Sequence, residues 1–137
     1  MEDLPLDKLF ASFTNLCVNI KGEPPCFDKR GLTKFLLENK QEFPEILGYI
    51  RFEGSPVGRF SKEVEQDLFN LQYSKLLSVK TPNFHPYEFD NEMILMYEKI
   101  SNEERKSLDK LAEKMHNEIG CDQKGRLNNQ LVNEDKN

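Results

Sequence analysis

Residues 54–89 read GSPVGRFSKEVEQDLFNLQYSKLLSVKTPNFHPYEF, and this stretch decides the fold. Ser61 is a typical N-cap for an amphipathic helix that we expect to run to about Lys75. Two short apolar-rich runs, Leu77–Val79 and Tyr87–Phe89, lie on either side of a connection with two prolines, which predicts the strands of a hairpin. A helix followed by a hairpin is typical of the second half of a winged helix-turn-helix domain.

The remaining sequence is mostly helical in pattern. Apolar residues spaced by three and four positions predict helices over four further ranges: 6–20, 28–41, 91–100 and 102–119. Asp28 is the expected N-cap of the second range, a Ser101–Glu104 capping box precedes the last one, and Gly120 ends it. We therefore predict a mainly helical fold with a small β-hairpin (α+β), winged-helix-like, with an extra C-terminal helix.

Three other parts of the pattern are specific enough to test. Residues 46–52 predict either a short strand or an irregular buried run, and the glycines and proline of 53–59 predict a loop. The first helix carries one apolar stripe, which we expect to face the core: Leu6, Leu9, Phe10, Phe13, Leu16, Cys17 and Ile20.

Length and composition predict a single domain over residues 1–120 and a flexible polar tail over 121–137. The chain has 137 residues, of which 37% are hydrophobic and 31% are charged, with both signs interspersed. Its formal net charge is −5. A dedicated nucleic-acid binder more often carries a basic surface, so this charge disfavours DNA as the partner.

The sequence also predicts a cytoplasmic protein. No stretch approaches the ~20 apolar residues of a membrane span, and the acidic amino terminus lacks the features of a signal peptide. The three cysteines, Cys17, Cys26 and Cys121, are odd in number and irregularly spaced. Such a pattern favours reduced thiols over a disulfide framework.

Catalytic and cofactor signals are weak throughout the sequence. The cysteines and two histidines form no closely spaced metal-binding pair, and the Gly54–Gly58 loop lacks the lysine and hydroxyl residue of a phosphate-binding loop. Glu63, Glu65 and Asp67 are best explained as the polar side of a helix. We therefore expect no catalytic residue, metal or cofactor, and a function in binding.

The choice of partner depends on the first turns of the helix after Ser61. In a winged helix this segment enters the major groove, where three carboxylates would face the DNA phosphates. A DNA-binding regulator, dimerised through the last helix, is thus the second choice. Its nucleic-acid or anion contacts would come from the basic and hydroxyl residues Lys29, Arg30, Lys34, Arg51, Arg59 and Ser61.

A protein partner fits the same region better than DNA does. A second copy of the chain, which would form a homodimer, is one such partner. Acidic and aromatic side chains on the helix and the hairpin provide a docking surface, since aromatic residues are enriched in interface cores. The residues that we expect to contact a partner are Glu63, Asp67, Phe84 and Tyr87. The alternative is that the aromatic residues of the hairpin fill the domain's own core.

Several of these motifs resemble the Panacea family, the SocA-type antitoxins of prokaryotes. They are Leu32-Thr33-Lys34-Phe35-Leu36, the loop Phe52-Glu53-Gly54-Ser55-Pro56, the acidic and leucine-containing segment 63–71, and Tyr87-Glu88-Phe89, and the resemblance covers about residues 6–100. It implies a non-enzymatic regulator or adaptor, antitoxin-like or a phage-type accessory protein, that neutralises or delivers a protein partner. No catalytic residue carries over.

Overall fold

Helix α1 (Pro5–Asn15) lies at the centre of the fold. The computed structural model describes residues 3–55, 58–80, 86–124 and 127. Seven of the eleven residues of α1 are buried, and they lie on more than one side of the helix: Leu6, Leu9, Phe10, Ala11, Ser12, Phe13 and Thr14. The chain continues through a π-helical turn, Leu16–Lys21, which ends at Gly22 with a positive φ of 62°.

Five more helices follow in the described residues. They are α2 (Lys29–Asn39), α3 (Pro44–Leu47), α4 (Lys62–Tyr73), α5 (Met93–Glu98) and α6 (Asn102–Ile119). Helices α5 and α6 make the most extensive contacts with α1, and α2 packs against α6. At this last contact, a Cβ added to Gly31 would lie 2.9 Å from Cγ2 of Ile119. The glycine that weakens the helix pattern of α2 is therefore explained by the close approach of α6.

Two small antiparallel sheets accompany the helices. The first contains β1 (Cys26–Asp28), β4 (Leu77–Val79) and β5 (Pro86–Phe89) in the order β1-β5-β4. The second pairs β2 (Glu53–Ser55) with β3 (Gly58–Phe60). The mainly helical α+β class and the hairpin after α4 are therefore confirmed, with Leu77 opposite Phe89 and Val79 opposite Tyr87.

A cluster of four phenylalanine rings joins α1 to the three-stranded sheet. The Phe89 ring of β5 lies 4.8 Å from the Phe10 ring and 5.0 Å from the Phe27 ring, measured between centroids. Phe13 contacts Phe27 and Phe89 edge-on. All four side chains are at most 2% exposed. Each such aromatic pair adds about 0.5–1.5 kcal/mol beyond the burial of its surface.

The three helix starts that were predicted from capping residues are confirmed. The Asp28 carboxylate accepts the Arg30 backbone N–H at 3.1 Å, and Ser61 Oγ accepts the Val64 N–H at 3.3 Å. At the start of α6, Ser101 Oγ accepts the Glu104 N–H at 3.2 Å. Each cap satisfies a backbone donor that the first helical turn leaves without a partner.

Other predictions need correction. Ile20 is 69% exposed rather than part of the core, because the π-helical turn shifts the face on which later residues lie. Of the two alternatives for residues 46–52, the strand is wrong: these residues form the end of short helix α3 and then an irregular segment, in which Ile50 is buried. The predicted loop over 53–59 is instead the β2–β3 hairpin. Of the hairpin connection after β4, residues 81–85, including Phe84, lie outside the described residues.

The chain stays packed beyond the end of α6. Cys121 is buried and forms a disulfide with Cys26 of β1, whose Cα atom is 5.5 Å from that of Cys121. This corrects the prediction that all the thiols are reduced; Cys17 is free and buried. Leu127 is only 2% exposed, so part of the predicted tail lies against the domain. Residues 125–126 and 128–137 are outside the described part of the chain.

None of the helices described here combines the length and the apolar composition that crossing a bilayer requires.

Replacing Phe89 with Ala tests the importance of the ring cluster. We expect the free energy of unfolding to fall by about 3–5 kcal/mol, because the change removes a ring that contacts three others in the core. Urea denaturation followed by circular dichroism measures the loss. Tyr73→Ala is the matched control, since Tyr73 is 83% exposed, and it should change stability by no more than about 0.5 kcal/mol. Equal losses in both variants would contradict the proposed role of the cluster.

Candidate functional site

Helix α4 packs on the core through one side and presents the opposite side to solvent. Its buried residues are Val64, Asp67, Leu68 and Leu71. On the other side, Phe69 is 60% exposed and Tyr73 is 83% exposed. Residues four apart lie above one another on a helix, so the two aromatic side chains form one exposed patch.

The exposed patch is continued by two amide side chains. Gln66 Nε2 donates a hydrogen bond to Asn70 Oδ1 at 3.0 Å, and both residues are exposed. By helical spacing they share the side of α4 that carries Phe69 and Tyr73. We call Gln66, Phe69, Asn70 and Tyr73 the aromatic face. These four residues are uncharged. The exposed Lys62 lies one turn before them on the same side of α4, 3.9 Å from Glu53.

The acidic residues at the start of α4 are engaged in ion pairs with neighbouring elements. Glu63 Oε1 is 3.0 Å from Arg51 Nε, and Glu65 Oε1 is 2.6 Å from Lys29 Nζ. The hydrogen bond from Arg51 is the main reason that the pKa of Glu63 is lowered. The expectation of a strongly negative helix surface is therefore wrong, since the charges of both glutamates are locally compensated.

Asp67 does not lie on the polar side of α4 as predicted. Its side chain is 4% exposed and forms a hydrogen bond with Asp7 in the first turn of α1. Burial raises the pKa of Asp7 to about 9, and the hydrogen bond to Asp67 and its charge add to that shift. Burial also raises the pKa of Asp67, opposed by the hydrogen bond with Asp7. Burial therefore favours a shared proton on this carboxyl pair near neutral pH.

Tyr49 borders this carboxyl pair. Its phenol oxygen accepts the backbone N–H of Leu6, one of the donors that the start of α1 leaves without a helical partner. Burial raises the pKa of Tyr49 to about 12, and the nearby carboxylates of Asp67 and Asp7 act in the same direction. The tyrosine remains a neutral phenol at all ordinary pH values. Through Tyr49 and Asp67, the segment after α3 and helix α4 both contact the start of α1.

The predicted partner-binding residues that lie in the described ranges, Glu63, Asp67 and Tyr87, do not share one exposed surface. Asp67 faces the interior, Glu63 pairs with Arg51, and Phe84 is outside the described residues. Tyr87 is half-buried, with its ring centroid 6.0 Å from that of Phe27. The position of Tyr87 therefore fits the alternative prediction, in which the aromatic residues of the hairpin fill the core of the domain.

The alternative anion-binding residues are also committed to intramolecular contacts. Four of the cations lie within 4 Å of a carboxylate, in the pairs Lys29–Glu65, Arg30–Asp28, Lys34–Glu38 and Arg51–Glu63. Ser61 is buried and caps α4, while Arg59 is exposed on β3. A bound phosphate would have to compete with the carboxylates for most of this set.

The open depression beside the start of α4 has no clear ligand preference. Its volume is about 780 Å³, and Arg51, Phe52, Glu63 and Gln66 are among the residues that line it. Charges of both signs surround it, so neither an anion nor a cation is selected. Within the described ranges there is no group of three or more His, Cys, Asp or Glu side chains placed to hold a metal ion.

Phe69 and Tyr73 were not identified as functional residues from the sequence, although a signal was present. The buried stripe of α4 passes through Val64, Leu68 and Leu71, and neither aromatic residue lies on it. Large aromatic side chains that fall outside the apolar stripe of a helix indicate a surface that another molecule covers.

Comparison of the chain with models of protein families, with curated proteins and with solved structures finds no match. The resemblance to the SocA-type antitoxins therefore stays a prediction from short motifs.

The shared proton makes stability depend on pH. The folded state holds a proton on Asp7 up to about pH 9, whereas the group in the unfolded chain releases it near its ordinary pKa of 3.8. The folded state binds more protons between these values, so the free energy of unfolding falls as pH rises through this window. Replacing Asp7 with Asn removes this dependence and should stabilise the protein by about 1–2 kcal/mol near pH 8, with little effect near pH 4.

Urea unfolding at several pH values, with Glu98→Gln as the control for an exposed carboxylate, measures the effect. If Asp7→Asn and the original chain lose stability in parallel between pH 4 and pH 8, Asp7 is ionised in the folded state and the shared proton does not exist.

Proposed function

We propose that this chain is a non-enzymatic regulator or adaptor that binds a protein partner through the aromatic face of α4. One observation carries the proposal: Phe69 and Tyr73 are 60% and 83% exposed on the same side of a helix whose other side is buried. Aromatic residues are enriched and charged residues depleted in the centres of protein interfaces. An uncharged, aromatic helix face in a chain with 31% charged residues fits that composition.

The arrangement around α4 supports a winged-helix-like assignment as part of this proposal. With α3 and the β2–β3 pair inserted between α2 and α4, the order α1, β1, α2, α4, β4, β5 follows the helix-and-hairpin pattern expected of that scaffold, and β1 pairs with the last strand of the hairpin. In such domains the helix before the hairpin is the one that contacts the ligand. Here that helix is α4, which presents aromatic and amide groups to the ligand.

A polypeptide partner fits this helix better than DNA does. Non-specific DNA binding depends on lysine and arginine side chains that neutralise phosphates. Among the residues of the aromatic face there is no cation, the adjoining Lys62 lies 3.9 Å from Glu53, and Arg51 and Lys29 beside α4 are paired with Glu63 and Glu65. DNA is disfavoured because the cations on and beside α4, Lys62, Arg51 and Lys29, each lie within 4 Å of a carboxylate.

The motif resemblance supports an antitoxin-like or phage-type accessory role as the more specific form of the proposal. A cytoplasmic location belongs to the same proposal, on the basis of composition. A second copy of this chain is the simplest polypeptide that could cover the aromatic face, and sedimentation of the purified protein distinguishes a homodimer from a heterologous complex.

The test compares partner retention by variants of the immobilised full chain. Phe69→Ser with Tyr73→Ser should weaken retention of a specific partner at least about tenfold, because truncation of central aromatic residues commonly costs 2 kcal/mol or more of binding energy. Leu95→Ser is the control, since Leu95 is 58% exposed on α5, away from α4. Both variants should keep the unfolding midpoint of the original chain, and mass spectrometry quantifies the retained protein.

Equal retention by the double variant and by the original chain would contradict the proposal. Binding of the original chain to duplex DNA, with an affinity that falls steeply as salt is raised, would instead support a DNA-binding regulator.

A further inference from the structure

Strand β1 forms an edge of the three-stranded sheet, and the chain after α6 covers that edge. The sheet order β1-β5-β4 leaves one side of β1 without a strand partner in the described residues. On that side, Phe27 forms an isolated antiparallel bridge with Gly120. Proteins commonly cover such edges with a loop or helix, because an open edge invites pairing with another chain.

The covering segment is held by a small set of contacts. We call residues 120–124 and 127 the strap. Cys121 bridges Leu127 within the strap, and both pack with Cys26 in an apolar cluster that is separate from the main core. Burial of Cys121 and Leu127 and one isolated bridge to β1 hold the strap weakly compared with a helix or a strand in a sheet.

The disulfide adds a covalent tie to these weak contacts. Cys26 belongs to β1 and Cys121 to the strap, and the bond closes a sequence separation of 95 residues. The Cα–Cα distance of 5.5 Å lies in the range that disulfides adopt. We propose that Cys26 and Cys121 form a reversible redox switch: oxidation pins the strap over the edge of β1, and reduction lets the strap open and uncovers that edge.

The switch is independent of the aromatic face and consistent with a cytoplasmic location. Disulfides in the cytosol are usually transient or redox-sensing, since glutathione and thioredoxin keep most thiols reduced. A disulfide that forms only under oxidising conditions is compatible with an odd number of cysteines in the chain. The third cysteine does not compete, because burial raises the pKa of Cys17 to about 12 and keeps its thiol protonated.

Thiol–disulfide exchange with a small disulfide, such as glutathione disulfide, supplies the chemistry. Cys121 and Cys26 are 0% and 2% exposed while the strap is closed, so oxidation starts from the open strap of the reduced protein. The Cys121 thiolate then attacks one sulfur of glutathione disulfide, forming a mixed disulfide and releasing one glutathione thiolate. The Cys26 thiolate displaces the second glutathione when the strap closes. In total, two protein thiols are oxidised, one glutathione disulfide is reduced to two glutathione molecules, and the two thiol protons pass to glutathione or solvent.

Opening of the strap need not detach α6. His116 in the last turn of α6 lies 2.5 Å from Glu23, measured between Nε2 and Oε2. Ile119, at the end of α6, packs against Gly31 of α2. These contacts lie before Gly120 in the chain and remain when the disulfide is reduced. The change is therefore confined to the strap and the edge of β1.

The experiment uses the purified full chain, equilibrated with glutathione disulfide or with reduced glutathione. Alkylation after denaturation, followed by mass spectrometry, should find one free thiol in the oxidised protein and three in the reduced protein. Hydrogen exchange of peptides from the strap and from β1 should be at least about tenfold faster in the reduced protein, while α1 and the body of α6 should stay protected in both states.

Two variants assign the effect to the proposed pair. Cys17→Ser keeps both partners and should respond to glutathione as the original chain does. Cys121→Ser cannot form the bond and should show fast exchange of the strap in both conditions. The comparison of the oxidised and reduced original chain decides the question even if a variant fails to fold. Failure of the bond to form in glutathione disulfide, or equal exchange of the strap in both states, would overturn the proposal.

Discussion

The burial of α1 is the constraint on which the rest of the structure depends. A helix with buried residues on more than one side needs partners on each of them, and α5, α6 and the aromatic residues of β1 and β5 provide them. The rings of Phe10, Phe27 and Phe89 contact one another. They connect α1 with strands β1 and β5, which are distant in sequence. Because stability of a small domain is only a few kcal/mol in total, this cluster is a large share of what keeps the fold intact.

The burial of α1 also determines where α4 packs and which side of α4 stays exposed. Once α5 and α6 enclose α1, α4 attaches at the periphery, through Val64, Leu68 and Leu71 and through the contact of Asp67 with Asp7. A buried carboxyl pair that keeps a proton costs stability at neutral pH. Asp67 lies on the same side of α4 as Val64, Leu68 and Leu71, and these buried residues together mark the rotation at which the helix packs. That rotation turns Phe69 and Tyr73 outward, where they contribute little to the fold.

Features that depend on nearby residues could be predicted from the sequence. The caps formed by Asp28, Ser61 and Ser101 and the existence of the β4–β5 hairpin follow from residues that are close to one another in sequence. Features that join distant residues could not. The pairing of β1 with β5, the carboxyl pair of Asp7 with Asp67 and the disulfide of Cys26 with Cys121 leave no periodic pattern in either partner. For α4, the polar residues were assigned to the surface by type. Helical spacing already places Asp67 beside the apolar stripe and Phe69 away from it, and the structure confirms that Asp67 is buried and Phe69 exposed.

The central claim is that the outward side of α4 contacts polypeptide, and a photo-reactive phenylalanine analogue at position 69 tests it most directly. The side chain at this position is exposed, so the analogue fits without repacking the core. After irradiation in cells, the account predicts cross-links to a specific protein from position 69 and none to that protein from position 95. Cross-links from position 69 to nucleic acid, or the same products from both positions, would contradict the account.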